Sequence, residues 1–341
     1  MKYEDQLKAT AQAMMAAGKG LLAADESSGT VAKRFDSVSL ENTEENRRLY
    51  RQLLLTAEGN EQFLSGVILF DETIRQKDDA GTPFAEVLKR QGIVPGIKVD
   101  MGAKDLALHP GEKVTEGLDG LRERFEEYAK MGAGFSKWRA VITIDGDKLP
   151  SAACYQANAQ ALARYAALSQ EAGIVPIVEP EVLLDGNHSI ERCYEVTAKM
   201  FDELFSALKG QDVLMEGVVL KASLVLSGKD APNRADTQTV AEQTVKCLKE
   251  HVPANLGGVV FLSGGQTEEE ATAYLDAMNK IGGTPWALSF SYGRAIQNPV
   301  LKLWAAGDQA KARAALLHRC QASSLAAEGK WSEDFEKNRP Y

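Results

Sequence analysis

The chain reads as a single α/β domain folded as a (β/α)8 barrel, and three observations predict it. Eight apolar runs rich in β-branched residues alternate with stretches of helical period. The runs are apolar along most of their length rather than at every second position, so both faces are covered, as in parallel strands wrapped by helices. A length of 341 residues suits one elaborated barrel, which typically needs about 250, and no linker, repeat or low-complexity segment divides the chain. A doubly wound parallel sheet is the alternative. The barrel is the preferred reading, over residues 1–329.

The strand candidates fall at 19–25, 65–72, 92–100, 134–144, 174–181, 213–221, 257–263 and 286–292. Between them, Glu44–Thr56, Leu118–Met131, Ser151–Ala172, Ile190–Leu208, Thr237–His251 and Thr267–Lys280 carry helical spacing. Several helix starts are capped in the sequence. Thr267 with Glu270 three residues later forms a capping box. Ser151 opens a long alanine-rich helix, and Thr43 repeats the N-cap logic. Lys311–Gly329 reads as a last helix with a glycine stop. The charged segment 330–341 has no periodicity and is expected to be a mobile tail.

Hydrophobic residues make up 44% and charged residues 26%, with a net charge of −9. This is the composition of an ordinary globular protein, without the basic footprint of a nucleic-acid binder. A small anion held in a local cationic pocket remains compatible with an acidic envelope. The four cysteines (Cys154, Cys193, Cys247, Cys320) are scattered, with no CxxC, which suggests reduced structural thiols. The start of the chain lacks a basic-then-apolar signal pattern, and no run approaches about 18 apolar residues. A soluble cytoplasmic protein with no membrane partner is expected.

The candidate chemistry lies at strand ends, where barrels of this type collect their functional groups. In order these ends carry Asp25-Glu26-Ser27, Asp71 to Thr73, Lys98, Lys137 with Arg139, Glu179 and Glu181, Lys221, Ser263-Gly264-Gly265, and Ser291 to Arg294. Lys221 is the most informative. It closes an apolar run, where burial penalises an ammonium and favours a nucleophilic amine able to form an imine; alternatively it reaches to solvent. Lys98 and Lys137 end their runs in the same way, and like charges meeting there would depress one amine's pKa. Glu179 and Glu181 flank Pro180, and strand alternation points both to one side. They either move protons for an imine or only neutralise the lysines. Asp25 is a base or a turn cap. Ser263-Gly264-Gly265 runs straight into the capped helix at Thr267, and Ser291, Gly293 and Arg294 follow the last strand. Together these two loops suit a phosphate. The histidines are isolated, with no zinc-type spacing, so no metal site is expected.

These segments together resemble the class I, Schiff-base-forming fructose-1,6-bisphosphate aldolases. The likeness is carried by 18–27 (GKGLLAADES), 41–48 (ENTEENRR), 96–100 (GIKVD), 137–139 (KWR), 174–181 (IVPIVEPE), 220–221 (LK), 261–266 (FLSGGQ) and 290–294 (FSYGR), and it covers nearly the whole chain. The resemblance implies a TIM barrel, usually a homotetramer, acting on sugar phosphates in glycolysis and gluconeogenesis with no metal or other cofactor. It implies Lys221 as the imine-forming lysine, Glu179 as the acid/base for carbinolamine dehydration, and Asp25 in carbon–carbon cleavage. Lys137 would assist imine formation and keep Lys221 reactive, with Glu181 tying down the lysines. Ser263, Gly264, Gly265, Ser291, Gly293 and Arg294 would hold one phosphate. Ser27, Arg34, Arg47 and Lys98 would lie towards the other, with Arg139 also on the substrate. Tyr341 matches the family's terminal tyrosine, which reaches into the site. Three departures stand out: Lys221-Ala222-Ser223 replaces the usual Lys-Pro-Asn, the segment 227–234 differs from the animal pattern, and Met101 stands where animal members carry a second lysine. Alternatives are another Schiff-base sugar-phosphate lyase, a transaldolase-like barrel, or a non-catalytic scaffold.

Overall fold

The computed structural model describes residues 2–341. Eight parallel strands close into a barrel: β1 (Gly20–Ala24), β2 (Leu64–Leu69), β3 (Val94–Lys98), β4 (Phe135–Ile142), β5 (Val175–Val182), β6 (Val219–Ala222), β7 (Gly258–Phe261) and β8 (Leu288–Tyr292). Every strand pairs with its sequence neighbours, and β8 returns to β1 through Leu21↔Ser291 and Leu22↔Tyr292. Closure leaves no edge strand, and the doubly wound alternative is set aside.

The period of two along each strand divides floor from rim. On the inward faces apolar residues come first and ionisable ones last: Leu21 and Ala23 before Asp25, Phe135 before Lys137 and Arg139, Val175 and Ile177 before Glu179 and Glu181, Val219 before Lys221. The floor residues pack with Leu7, Ala11 and Met14 of the helix Glu4–Met14, so that helix plugs the N-terminal end of the barrel. Gly96 makes room for the floor's Phe135, whose ring a Cβ there would approach to 2.2 Å, and Gly20 makes room for Phe290 of the outer core, at 2.5 Å. The outward strand faces join the surrounding helices in a second, larger core.

The expected helices form at Glu44–Leu55, Leu121–Lys130, Ala152–Glu171, Ile190–Gly210, Thr237–His251, Glu268–Ile281 and Gln309–Ala327. Thr43, Ser151 and Thr267 cap as expected, accepting hydrogen bonds from the amides of Asn46, Cys154 and Glu270. The strand expected at 213–221 is shorter, because Met215–Gly217 turns as a 3-10 helix before β6. Further helices Ser28–Asp36, Phe84–Arg90 and Arg294–Ala305, and a two-stranded hairpin of Ala103–Asp105 with Lys113–Thr115, complete the shell.

The segment 330–341, expected to be a mobile tail, lies here against the helices of the shell. Glu333–Lys337 forms a short helix, and the buried Glu336 pairs with Arg319, which is fully buried on the last long helix. Phe335 stacks on His318 at 4.6 Å, and Trp331 donates its backbone N–H to Asp276. Contacts to two helices, rather than periodicity of its own, hold the segment in this position. The four cysteines are buried and free.

Candidate active site

A cavity of about 760 Å³ opens at the C-terminal end of the barrel. Its walls include Asp25, Ser27, Arg34, Lys98, Lys137, Arg139, Glu179, Glu181, Lys221, Ser263, Gly264, Ser291, Gly293 and Arg294, from the strands β3, β4, β5, β6 and β8 and from the segments after β1, β7 and β8. The residues read from the strand ends therefore converge on one chamber, with the following exceptions. Asp71, Glu72 and Thr73 begin a short helix and do not line it; Asp71 instead accepts from Arg75 at 2.9 Å and Tyr128 at 2.8 Å. Arg47 gives both Nε and Nη2 to Glu72, at 2.8 and 2.6 Å, and does not line the cavity. Gly265 turns with φ +78° behind the wall, where a Cβ would meet Leu184 at 2.8 Å. Tyr341 packs edge-on against His318 at 5.7 Å and is not part of the cavity wall.

At the centre stand two lysines and two carboxylates, all buried. Lys137 Nζ lies 2.9 Å from Asp25 Oδ2 and 3.1 Å from Glu179 Oε2, while Lys221 Nζ lies 3.2 Å from Glu179 Oε1. Strand register produces this arrangement. Lys137 is opposite Lys98 across β3–β4, and Glu179 is opposite Arg139 across β4–β5, so the ionisable groups sit on two successive levels of the rim. Glu179 thus bridges the two ammonium groups, a placement from which one carboxyl can pass a proton to or from an atom bonded to Lys221.

The electrostatics follow from this packing. Burial opposes the Lys137 ammonium, but Asp25 and Glu179 outweigh it and its pKa is raised. The like-charge depression expected among the lysines is therefore not what Lys137 experiences, because each cation meets a carboxylate first. Burial pushes Asp25 upward, yet Lys137 and Lys221 bring it down to about 2. Glu179 is lowered in the same way, against its burial, by Lys137, Lys221 and Arg139.

The flanks of the cavity differ in chemistry. On one side Ser291 Oγ is buried with no hydrogen-bond partner, and Ser263 Oγ accepts from the Ala295 amide near the N-terminus of the helix Arg294–Ala305. A Cβ at Gly264 would lie 3.0 Å from Leu262, 3.1 Å from Glu181 and 3.5 Å from Arg294, so glycine fits the wall there without crowding these side chains. Unfilled hydroxyl capacity, a helix N-terminus and an arginine suit a phosphate. On the other side Lys98 pairs with Asp100 at 3.0 Å, and Arg34 with Glu26. Arg139 is held by Glu181, which, after burial has worked against it, keeps the guanidinium charged.

Two cavity-lining carboxylates were not singled out in the sequence, Glu26 and Asp100. Asp100 accepts from the Gly102 and Arg139 amides at 3.1 and 3.2 Å, fixing the loop beyond Lys98. Both sat inside the quoted motifs as neighbours of a residue that drew attention first. Of the departures, Ser223 accepts the Val182 amide at 3.0 Å and locks β6 to β5 just past Glu181, while Ala222 is buried in the wall. Met101 is 64% exposed and takes no part in the cavity.

The family model described as fructose-bisphosphate aldolase class-I matches residues 6–340. The chain belongs to the class I fructose-bisphosphate aldolases. A probable class 1 aldolase of Xanthomonas campestris is 59% identical over 96% of this chain and 98% of its own length. The fructose-bisphosphate aldolase of Dictyostelium discoideum is 51% identical over 97% of this chain and 94% of its own. Among solved structures, the Plasmodium falciparum aldolase in complex with TRAP and a small-molecule inhibitor superposes with a TM-score of 0.95. It shares 49% identity and covers 97% of this chain and 96% of that one. A class I aldolase is a lyase of glycolysis and gluconeogenesis that cleaves fructose 1,6-bisphosphate reversibly, through a Schiff base and without a metal. The barrel, with its buried lysines at the base of one chamber, is the framework for that aldolase chemistry.

Proposed function

We propose that Lys221 is the lysine that forms the Schiff base, and that the surrounding quartet runs the reaction. The observation that carries this reading is the bridging position of Glu179, 3.2 Å from Lys221 and 3.1 Å from Lys137. Glu179 takes a proton from the Lys221 ammonium 3.2 Å away, the freed amine attacks the ketose C2 carbonyl, and Glu179 gives that proton to the departing hydroxyl as the carbinolamine loses water. The protonated imine then draws the electron pair of the C3–C4 bond as Asp25 takes the C4 hydroxyl proton. Glyceraldehyde 3-phosphate leaves, and the enamine takes at C3 the proton that Asp25 had accepted. Hydrolysis of the imine releases dihydroxyacetone phosphate and regenerates Lys221. Lys137 holds the two carboxylates at these stations, and Glu181 holds Arg139 against the substrate.

Ser263, Gly264, Ser291, Gly293 and Arg294 take one phosphate, with Gly265 supplying the turn behind them. Ser27, Arg34 and Lys98 face the other, while Arg47, held by Glu72, stands outside the chamber. Tyr341 would reach the chamber by leaving His318. In favour of such a move, its hydroxyl is buried without a hydrogen-bond partner in the docked position. The assembly proposed is a homotetramer, from family resemblance. The proposed location is the cytoplasm, in line with the 51%-identical Arabidopsis thaliana relative named as cytosolic. No described helix is long and apolar enough to cross a membrane.

The test is Lys221→Met. Calorimetry should show the variant binding fructose 1,6-bisphosphate within about tenfold of the parent affinity, with turnover reduced by about 10⁴ or more. Turnover within tenfold of the parent would place the imine on another lysine.

A further inference from the structure

Glu26 lines the cavity next to Asp25, but its carboxylate is spent on neighbours rather than aimed at the chamber. Oε1 accepts from Arg34 Nη1 and, at 3.0 Å, from Gln297 Nε2; Oε2 accepts from Arg51 Nη2 at 2.8 Å. Arg51 is 3% exposed and lies on the helix Glu44–Leu55, while Gln297 is fully buried on the helix Arg294–Ala305. Gln297 Nε2 also donates to the Ala23 carbonyl at 2.6 Å, and its Oε1 accepts from Tyr50 at 3.1 Å and from Arg34 at 3.3 Å. One more bond, from Arg34 Nη2 to Asn298 Oδ1 at 3.3 Å, completes the support.

Two guanidinium groups thus share one carboxylate, which leaves one positive charge in excess. Arg51 is buried behind the wall, so the excess is presented to the chamber by Arg34, the member of the pair that lines the cavity. A cation that must meet one phosphate and not merely raise the local potential needs a fixed direction. Long arginine side chains lose that direction unless other groups lock their rotamer.

We propose that Glu26 is a positioning residue that sets the preference for a substrate phosphorylated at both ends, by holding Arg34 at the second phosphate. This rests on the reading that Arg34 faces that phosphate. Glu26 contacts Arg34 and not the reacting atoms, so its loss weakens recognition of the second phosphate selectively. A misplaced binding group of this kind costs about tenfold or more.

The experiment compares kcat/KM for fructose 1,6-bisphosphate and fructose 1-phosphate in Glu26→Gln, with Arg34→Ala alongside. The ratio of bisphosphate to monophosphate kcat/KM should fall about tenfold in Glu26→Gln, chiefly through KM, and at least as far in Arg34→Ala. An unchanged ratio in Glu26→Gln with a lowered one in Arg34→Ala overturns the role of Glu26 alone. An unchanged ratio in Arg34→Ala overturns the reading beneath it. Equal loss on both substrates leaves the ratio unchanged and counts as a structural role only, against the proposal. Should Glu26→Gln fail to fold, Glu26→Asp keeps the charge beside Arg51 but withdraws the carboxylate by one methylene. The same fall in ratio is expected there, and a parental ratio refutes the proposal.

Discussion

Replacing Lys137 by methionine should make the stability of the protein fall with rising pH in a way the parent's does not. Lys137 is 2.9 Å from Asp25 and 3.1 Å from Glu179, and its removal leaves those two carboxylates with Lys221 as their remaining partner within the quartet. At about 3 Å and an effective dielectric near 20, each lost contact is about 5 kcal/mol before desolvation is counted. The ammonium's own burial cost disappears with it, so the net loss expected for a broken buried pair is about 3–5 kcal/mol. Proton uptake offers relief: one carboxyl, no longer held down by Lys137, rises above its unfolded value and binds a proton in the folded state. The sign then follows. Where the folded variant binds one proton more than the unfolded chain, stability drops by about 1.4 kcal/mol per pH unit as pH rises. Urea unfolding at fixed protein concentration, between pH 5 and pH 8, should show the gap between parent and variant widening towards alkaline pH. A gap that stays constant, or stays below about 0.5 kcal/mol throughout, refutes the idea that Lys137 is what keeps these carboxylates ionised.

Glu179→Gln should keep substrate binding but slow single-turnover imine formation by about 10²–10³-fold, because the carbinolamine loses its proton donor; an unaltered rate would remove Glu179 from that step. In acid, Asp25 contributes through its depression from 3.8 to about 2, which corresponds to roughly 2 kcal/mol. A depressed carboxyl stabilises above its unfolded pKa, so this contribution is complete above about pH 5 and fades as pH falls towards 2. Acid unfolding of Asp25→Asn should lose that limb, and an identical acid limb would show that Asp25 is not the group involved.

Most of the barrel was legible in the sequence because its strands are continuous apolar runs with ionisable residues at their ends, a signal local to each run. The quartet was legible for the same reason, since alternation alone sends Glu179 and Glu181 to the side on which Lys137 and Lys221 also lie. What escaped depends on partners far away in the chain. Glu26 becomes a support only when Arg51 and Gln297 are brought to it by two different helices. The helix Glu4–Met14 has a modest apolar stripe, and its role as the barrel's plug follows from the ring of floor residues it meets. The tail's helix is five residues long and is held by Arg319 and His318, so its own sequence carries little sign of it. Arg47 looked free in its motif but is claimed by Glu72, twenty-five positions on.

The central claim is that Lys221, and no neighbouring lysine, carries the imine. Incubating the protein with dihydroxyacetone phosphate, reducing with borohydride and mapping the modified peptide tests it most directly. The account predicts a single three-carbon phosphate adduct on Lys221, formed equally well with EDTA present. An adduct on Lys137 or Lys98, or trapping abolished by EDTA, would contradict it.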